Sequence, residues 1–255
     1  MYKYKPRCKV LSYAVKVENL VKVYGKNTIA LRGLTFNVNH GEIYALIGPN
    51  GSGKTTTLRI IATLIKPTSG TVEVYGVNVV KEPLKARSLI SYLPEEAGAY
   101  RDLTGEDFIK FMASIRFSGK RFEEVVKEAT SICGLGKELK RPIRTYSKGM
   151  KRILALSVVL ASRPKLLLLD EPTAGLDVEK ALFVRNLIKK YNRELGITVL
   201  LSSHNMLEVE YLAHRVGVLY GGKIVGEGSP KELKERLEAE NLEEVFMKLR
   251  GQKWF

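Results

Sequence analysis

The 255-residue sequence predicts an α/β fold: a parallel sheet covered by helices on both faces, an N-terminal antiparallel β subdomain, and an inserted helical lobe. Three observations predict it. An apolar strand, a glycine-rich loop and a helix follow one another over 42–62. From 165 to 219, apolar strands alternate with helical stretches, as parallel strands joined by crossovers do. Between these halves, 104–161 has helical periodicity and no strand, so it reads as a lobe set into the sheet.

The elements follow in order. Tyr13 to Tyr24 and Ala30 to Val38 alternate apolar and polar residues, as half-exposed strands would. Glu42 to Ile47 reads as a buried strand, Thr56 to Ala62 as a helix, Thr71 to Tyr75 as a short strand, and Leu89 to Leu93 as a strand closing at Pro94. Phe108, Phe111, Met112 and Ile115 form one apolar helical face, and Gly119 separates that helix from the next, Phe122 to Ile132. Met150 to Ala161 is a further helix and Lys165 to Leu169 a strand with a fully apolar end. Strands Thr198–Ser202 and Val216–Leu219 alternate with helices Val178–Leu195 and Met206–Ala213. The organisation expected is a basic N-terminal segment over 1–14, a main domain over 15–229 with its lobe at about 97–162, and a charged helical appendage over 230–255. Neither an internal repeat nor a low-complexity linker interrupts it.

Composition narrows the class. With 45% hydrophobic and 27% charged residues, the chain has the balance of a soluble globular protein. Its longest apolar run, Ile153 to Ala161, falls far short of the roughly 20 residues that cross a bilayer. The N-terminus is charged without an apolar core behind it, so no secretory signal is expected and a membrane role would come through a partner. Cys8 and Cys133 make no disulfide framework, which suits a reducing cytosol. The net charge of +15 comes without aromatic-interleaved basic motifs, so nucleic acid is not the expected partner. Solvation and attraction to anionic lipid headgroups account for it better.

Two motifs carry chemistry. Gly48, Pro49, Asn50, Gly51, Ser52, Gly53, Lys54 and Thr55 match the phosphate-binding P-loop at every specified position, between a strand and a helix as the motif requires. Its glycines let backbone N–H groups turn toward phosphate oxygens, and the helix N-terminus beginning near Thr56 adds partial positive charge. Lys54 would reach the β- and γ-phosphates, and the Thr55 hydroxyl would ligate Mg²⁺. The chain is therefore expected to bind a nucleoside triphosphate. The second motif is Leu166 to Leu169 running into Asp170 and Glu171. Carboxylates at a strand's C-terminal end sit where open α/β sheets bind ligands. Asp170 could hold the metal and Glu171 could orient and deprotonate a water, although two such carboxylates could also simply cap the next turn.

With Pro172-Thr173-Ala174-Gly175-Leu176-Asp177 and, upstream, Tyr146-Ser147-Lys148-Gly149-Met150, the chain resembles the ABC-type ATPases from about Val15 to Gly228. The resemblance implies a P-loop NTPase core, ATP and Mg²⁺ as ligands, ATP hydrolysis, and a D-loop over Ala174 to Asp177. It implies that Tyr24 stacks on adenine, that Glu95 occupies the glutamine-loop position near the metal, and that His204 is the switch histidine. It further implies that Ser147 and Gly149 grip the γ-phosphate of a partner's nucleotide in a head-to-tail homodimer or heterodimer. A separate transmembrane permease and a place on the inner face of the membrane complete the expectation. His40 and His214 fit no motif and are expected to be structural.

Two motifs depart from the family pattern. Glu95 places a carboxylate where an amide is usual, and Lys148 and Met150 stand in the signature where glycine and glutamine are usual. The Tyr-Ser-Lys-Gly-Met form and the ending Asn241 to Phe246 resemble the branch that drives ABC-2-type exporters. A soluble ABC ATPase acting on DNA or ribosomes is the alternative, but the long coiled coil or second ATPase half of such proteins is missing between these motifs. A binding switch without turnover would not need Glu171.

Overall fold

The computed structural model describes residues 13–25, 27–96 and 100–251. Strands β1 (Val15–Tyr24), β2 (Thr28–Val38), β4 (Ser69–Val74) and β5 (Val77–Asn78) form an antiparallel sheet in the order β2-β1-β4-β5. The larger sheet contains β3 (Ile43–Ile47), β6 (Ile90–Leu93), β7 (Leu166–Asp170), β8 (Thr198–Ser203), β9 (Arg215–Tyr220) and β10 (Lys223–Gly228), in the order β10-β9-β3-β8-β7-β6. All its neighbours are parallel except β10, which runs antiparallel to β9 at the edge. Helices α1 (Lys54–Ile61), α2 (Pro83–Leu89), α3 (Gly105–Ser114), α4 (Gly119–Cys133), α5 (Lys148–Ala161), α6 (Val178–Leu195), α7 (Met206–Leu212), α8 (Pro230–Arg236) and α9 (Leu242–Leu249) complete the chain.

The central strands β3, β7 and β8 are buried along their whole length because the two faces of the sheet pack against different layers. Along β3, Ile43, Ala45 and Ile47 face one core, while Tyr44 and Leu46 face the other. The first core contains Ile109, Val125, Ala129 and Ile153 of the helical lobe; the second contains the apolar sides of β1, β2 and α1. The lobe thus shares its core with the sheet. So does the C-terminal appendage, through Leu233, Leu242 and Val245.

Register positions the chemistry. Ile47 pairs with Ser203 and Asp170 pairs with Ser202, so the P-loop, the twin carboxylates and the loop at His204 all leave the sheet at one end. Some expected boundaries shift. Leu89 closes α2 rather than opening a strand, and Gly119 begins α4 rather than separating two helices. Helix α2 escaped the periodicity because only Ala86 of it is buried, and β10 because its glycines and charges hide a strand pattern. The basic segment over 1–14 lies, apart from Tyr13 and Ala14, outside the described residues, as does Cys8. Cys133 is buried at the end of α4.

Candidate nucleotide site

The loop between β3 and α1 can be made only with glycine at its ends. Gly48 has φ +157°, and a Cβ there would strike the Leu219 carbonyl oxygen. Gly53, the N-cap of α1, has φ +112°, and its Cβ would lie 2.6 Å from Leu31 and 2.9 Å from the Ala30 oxygen. Lys54 is buried and donates to the Gly48 oxygen at 2.7 Å and the Pro49 oxygen at 3.3 Å, with Glu171 Oε1 at 3.9 Å. Burial pulls its ammonium pKa down, while Glu171, Asp170 and Glu95 hold it up. Ser52 Oγ is buried without a hydrogen-bond partner among the described residues, a hydroxyl free to meet a phosphate oxygen.

At the end of β7, Asp170 is almost fully buried and fully engaged. Its Oδ1 accepts from Thr55 Oγ1 at 3.0 Å and Ser202 Oγ at 2.5 Å, and its Oδ2 from the Tyr92 hydroxyl at 3.2 Å. Burial, and then the Asp170 charge, push the Tyr92 phenol up to about 12. Glu171 follows in the left-handed region, φ +48°, held there by its N–H bond to the Ser202 oxygen at 3.1 Å. That conformation costs a non-glycine residue about 1–2 kcal/mol, and such strain clusters at functional sites. The Glu171 side chain is buried; its Oε2 lies 2.8 Å from His204 Nδ1 and accepts the His204 N–H at 3.3 Å.

These groups converge on one cleft of about 380 Å³, lined by Tyr24, residues 28–30 and 50–56, Glu95, Glu171 and His204. Tyr24 stands half-exposed at its rim, its hydroxyl 3.5 Å from Thr56 Oγ1 and its ring 5.0 Å below Lys22 Nζ. The expected residues Ser147, Gly149 and Asp177 do not line it; they form a second cluster. Ser147 caps α5, accepting the Met150 N–H at 3.2 Å. Asp177 caps α6, accepting the Lys180 N–H at 2.9 Å and pairing with the Lys180 ammonium. The Lys180 chain covers Gly149, where a Cβ would overlap it, and Lys148 covers Gly175 in the same way. His214 Nδ1 accepts the Ile43 N–H at 3.1 Å and His40 packs edge-on to Tyr75, both away from the cleft. A larger open groove of about 820 Å³ between α4 and α6 holds none of the motif residues, and its Glu128 is engaged by Arg163 and Tyr191.

Residues 31–174 match the family described as ABC transporter. The chain belongs to this family. Relatives of this ABC ATPase include the linearmycin resistance ATP-binding protein LnrL of Bacillus subtilis, 36% identical over 226 residues that cover 88% of the chain and 71% of LnrL. The lantibiotic transport ATP-binding protein SrtF of Streptococcus pyogenes is 38% identical over 232 residues, covering 91% and 95%. Among solved structures, an ATP-binding subunit of an ABC transporter superposes with TM-score 0.83 at 26% identity, covering 93% of this chain and 99% of that one. A dimeric ATP-binding cassette in a post-hydrolysis state, bound to ADP and Pi, gives 0.77 at 27% identity, covering 84% and 98%. The expected P-loop NTPase fold and ATP-hydrolysing activity of the ABC domain are those of the family it joins.

Four residues that sequence reasoning passed over help build the site: Tyr92, Arg152, Ser202 and Glu208. Tyr92 and Ser202 lay inside predicted strands without a role. Arg152 and Glu208 had one available signal, a charge at the head of an apolar helical run for Arg152 and between Leu207 and Val209 for Glu208.

Proposed function

We propose that this ATPase powers an ABC-2-type exporter, with two copies, or one copy and a second ATPase subunit, closing head to tail over two ATP molecules. The observation that carries this reading is the division of the site. The cleft collects Tyr24, the P-loop, Glu95, Glu171 and His204, while Ser147, Gly149 and Asp177 stand apart and would complete the cleft of the facing subunit. Exporter duty is supported by relatives named for linearmycin resistance, lantibiotic transport and daunorubicin/doxorubicin resistance. No helix among the described residues is long and apolar enough to cross a membrane, and in this reading a separate permease would supply the path across it. The subunit would sit peripherally on the inner face, helped by its +15 charge, with the exposed Glu95 loop as the permease contact.

The donor set fits Mg²⁺ carried in with the nucleotide. Among the described residues no group of three or more His, Cys, Asp or Glu side chains forms a cage. Mg²⁺ needs none, taking one or two protein oxygens and filling its octahedron with phosphate oxygens and water. Thr55 Oγ1 and Asp170 Oδ1, already 3.0 Å apart, would hold it, with Glu95 able to approach from the cleft wall. When bound it supplies neutralisation of charge on the phosphate oxygens. Lys54 binds and orients the β- and γ-phosphates. Glu171, in a buried setting, takes the proton of the attacking water, and His204, 2.8 Å away, fixes its carboxylate and donates toward the γ-phosphate.

Complementation tests the division. Ser147→Arg should spare nucleotide binding and abolish ATP-driven dimerisation. Mixed with Lys54→Ala, it should regain part of the ATPase rate, because the heterodimer has one site with an intact P-loop and an intact signature. Strong ATP-dependent dimerisation of Ser147→Arg alone would overturn the arrangement.

A further inference from the structure

Arg152 sits in the second turn of α5, buried at 6% exposure, at the head of the apolar run Ile153 to Ala161. Its guanidinium meets main-chain carbonyls only, among the hydrogen bonds of the described residues. Nε donates to the Pro172 oxygen at 2.9 Å; Nη1 to those of Pro94 at 2.5 Å and Glu95 at 3.2 Å; Nη2 to those of Asp170 at 2.7 Å and Glu171 at 2.9 Å. A buried cation without a bonded carboxylate is expensive, and an apolar residue would sit on this helix face at less cost. Burial lowers its pKa to about 10, with Asp170, Glu208, Glu95 and Tyr92 opposing, so it remains charged at neutral pH.

The five acceptors belong to two loops. Pro94 and Glu95 follow β6, while Asp170 ends β7 and Glu171 and Pro172 follow it; these strands are neighbours, with Leu93 opposite Leu169. The third body is α5 itself, whose first turn carries Ser147 and Gly149. Only a planar fork can reach both loops at once; a lysine ammonium would keep the charge but act from a single point.

We propose that Arg152 is a positioning residue that joins the signature helix, the Glu95 loop and the Glu171 loop into one unit, so that displacement of the Glu95 loop is delivered to Glu171. This rests on the function proposed above, in which Glu171 activates water and the Glu95 loop meets the permease. The joint acts on geometry at the reacting centre, where a misplacement of about 1 Å can cost about 100-fold in rate.

The test uses the full chain with Arg152→Lys and Pro94→Gly, singly and combined. For Arg152→Lys the melting midpoint, the affinity for a fluorescent ADP analogue and KM for ATP should stay near wild type while kcat falls about 10- to 100-fold. Pro94→Gly loosens the same joint from the other side, so the pair should lose no more kcat than the worse single variant. Wild-type kcat in Arg152→Lys, additive losses, or a drop in melting midpoint and nucleotide affinity that accompanies the lost kcat would each overturn the proposal. Should Arg152→Lys not fold, Pro94→Gly alone decides: unchanged kcat overturns the joint, and lowered kcat at unchanged KM supports it. Full turnover by Glu171→Gln would instead sink the reading of the site itself; an inactive Glu171→Gln beside a fully active Arg152→Lys would sink the joint alone.

Discussion

Replacing Glu171 with Gln keeps the side chain's shape and removes its ability to take a proton. The amide can still accept the His204 backbone N–H, now 3.3 Å from Oε2, and the left-handed backbone at φ +48° is no worse for Gln than for Glu. Stability should therefore stay close to wild type. Turnover should not: a positioned general base contributes about 10²–10⁴-fold, or about 2.7–5.4 kcal/mol of barrier. Nucleotide binding should hold or tighten. Glu171 Oε1 stands 3.9 Å from Lys54 Nζ with both side chains more than nine-tenths buried, so water screens the pair poorly. At an effective dielectric of about 20 that attraction is worth about 4 kcal/mol before desolvation, and the anionic γ-phosphate competes with Glu171 for the same lysine. Without the carboxylate the phosphate has Lys54 to itself. The assay is phosphate release at saturating MgATP beside light scattering with and without ATP. Glu171→Gln should hydrolyse at least about 100-fold more slowly and accumulate as an ATP-bound dimer. Wild-type turnover, or loss of ATP binding at unchanged stability, would refute the reasoning.

Two further outcomes follow from neighbouring carboxylates. Glu95→Gln should leave the isolated subunit an active ATPase and shift the Mg²⁺ concentration at half-maximal rate, because Glu95 is exposed to the cleft where the metal would sit; superimposable Mg²⁺ titrations would remove Glu95 from the metal's surroundings. Glu208 is buried, accepts from Ser203 Oγ at 2.6 Å, and has its Oε1 without a partner among the described residues. Burial, with a smaller push from the Glu171 charge, raises its pKa from 4.5 against the opposing pull of the Ser203 and Thr173 hydroxyls. The folded chain then holds that proton more tightly than the unfolded chain, so stability is fullest below about pH 4.5 and declines as pH rises through the folded value. Glu208→Gln, which keeps the neutral form, should melt like wild type at about pH 4 and above it at about pH 8. A difference that does not change with pH would refute this.

The local chemistry of the cleft was readable in one dimension because each of its parts is contiguous. Gly48 to Thr55 is a single turn between a strand and a helix, and Asp170 and Glu171 end a run of four leucines, so spacing alone specifies where N–H groups, ammonium and carboxylates stand. Strands buried on both faces read as unbroken apolar runs for the same reason, and β3 and β7 were legible to within a residue or two. Helix α2, with Leu84 and Lys85 turned to solvent, and the glycine-bearing edge strand β10 left little periodic signal.

What the chain alone determines is thus the inventory: a P-loop, then a signature-like segment, then an aspartate and a glutamate at the end of an apolar strand, in the order of the ABC family. What tertiary structure decides is their company. Pairing of Asp170 with Ser202 and of Ile47 with Ser203 sets distant segments of the chain side by side, so that Thr55, Tyr92 and Ser202 surround one carboxylate and His204 meets Glu171. Folding also binds Arg152 to five carbonyls on two loops and keeps Ser147 and Asp177 out of the cleft. Periodicity encodes which face of an element is apolar, whereas hydrogen bonds between distant loops follow from strand register and layer packing, which depend on the whole chain at once.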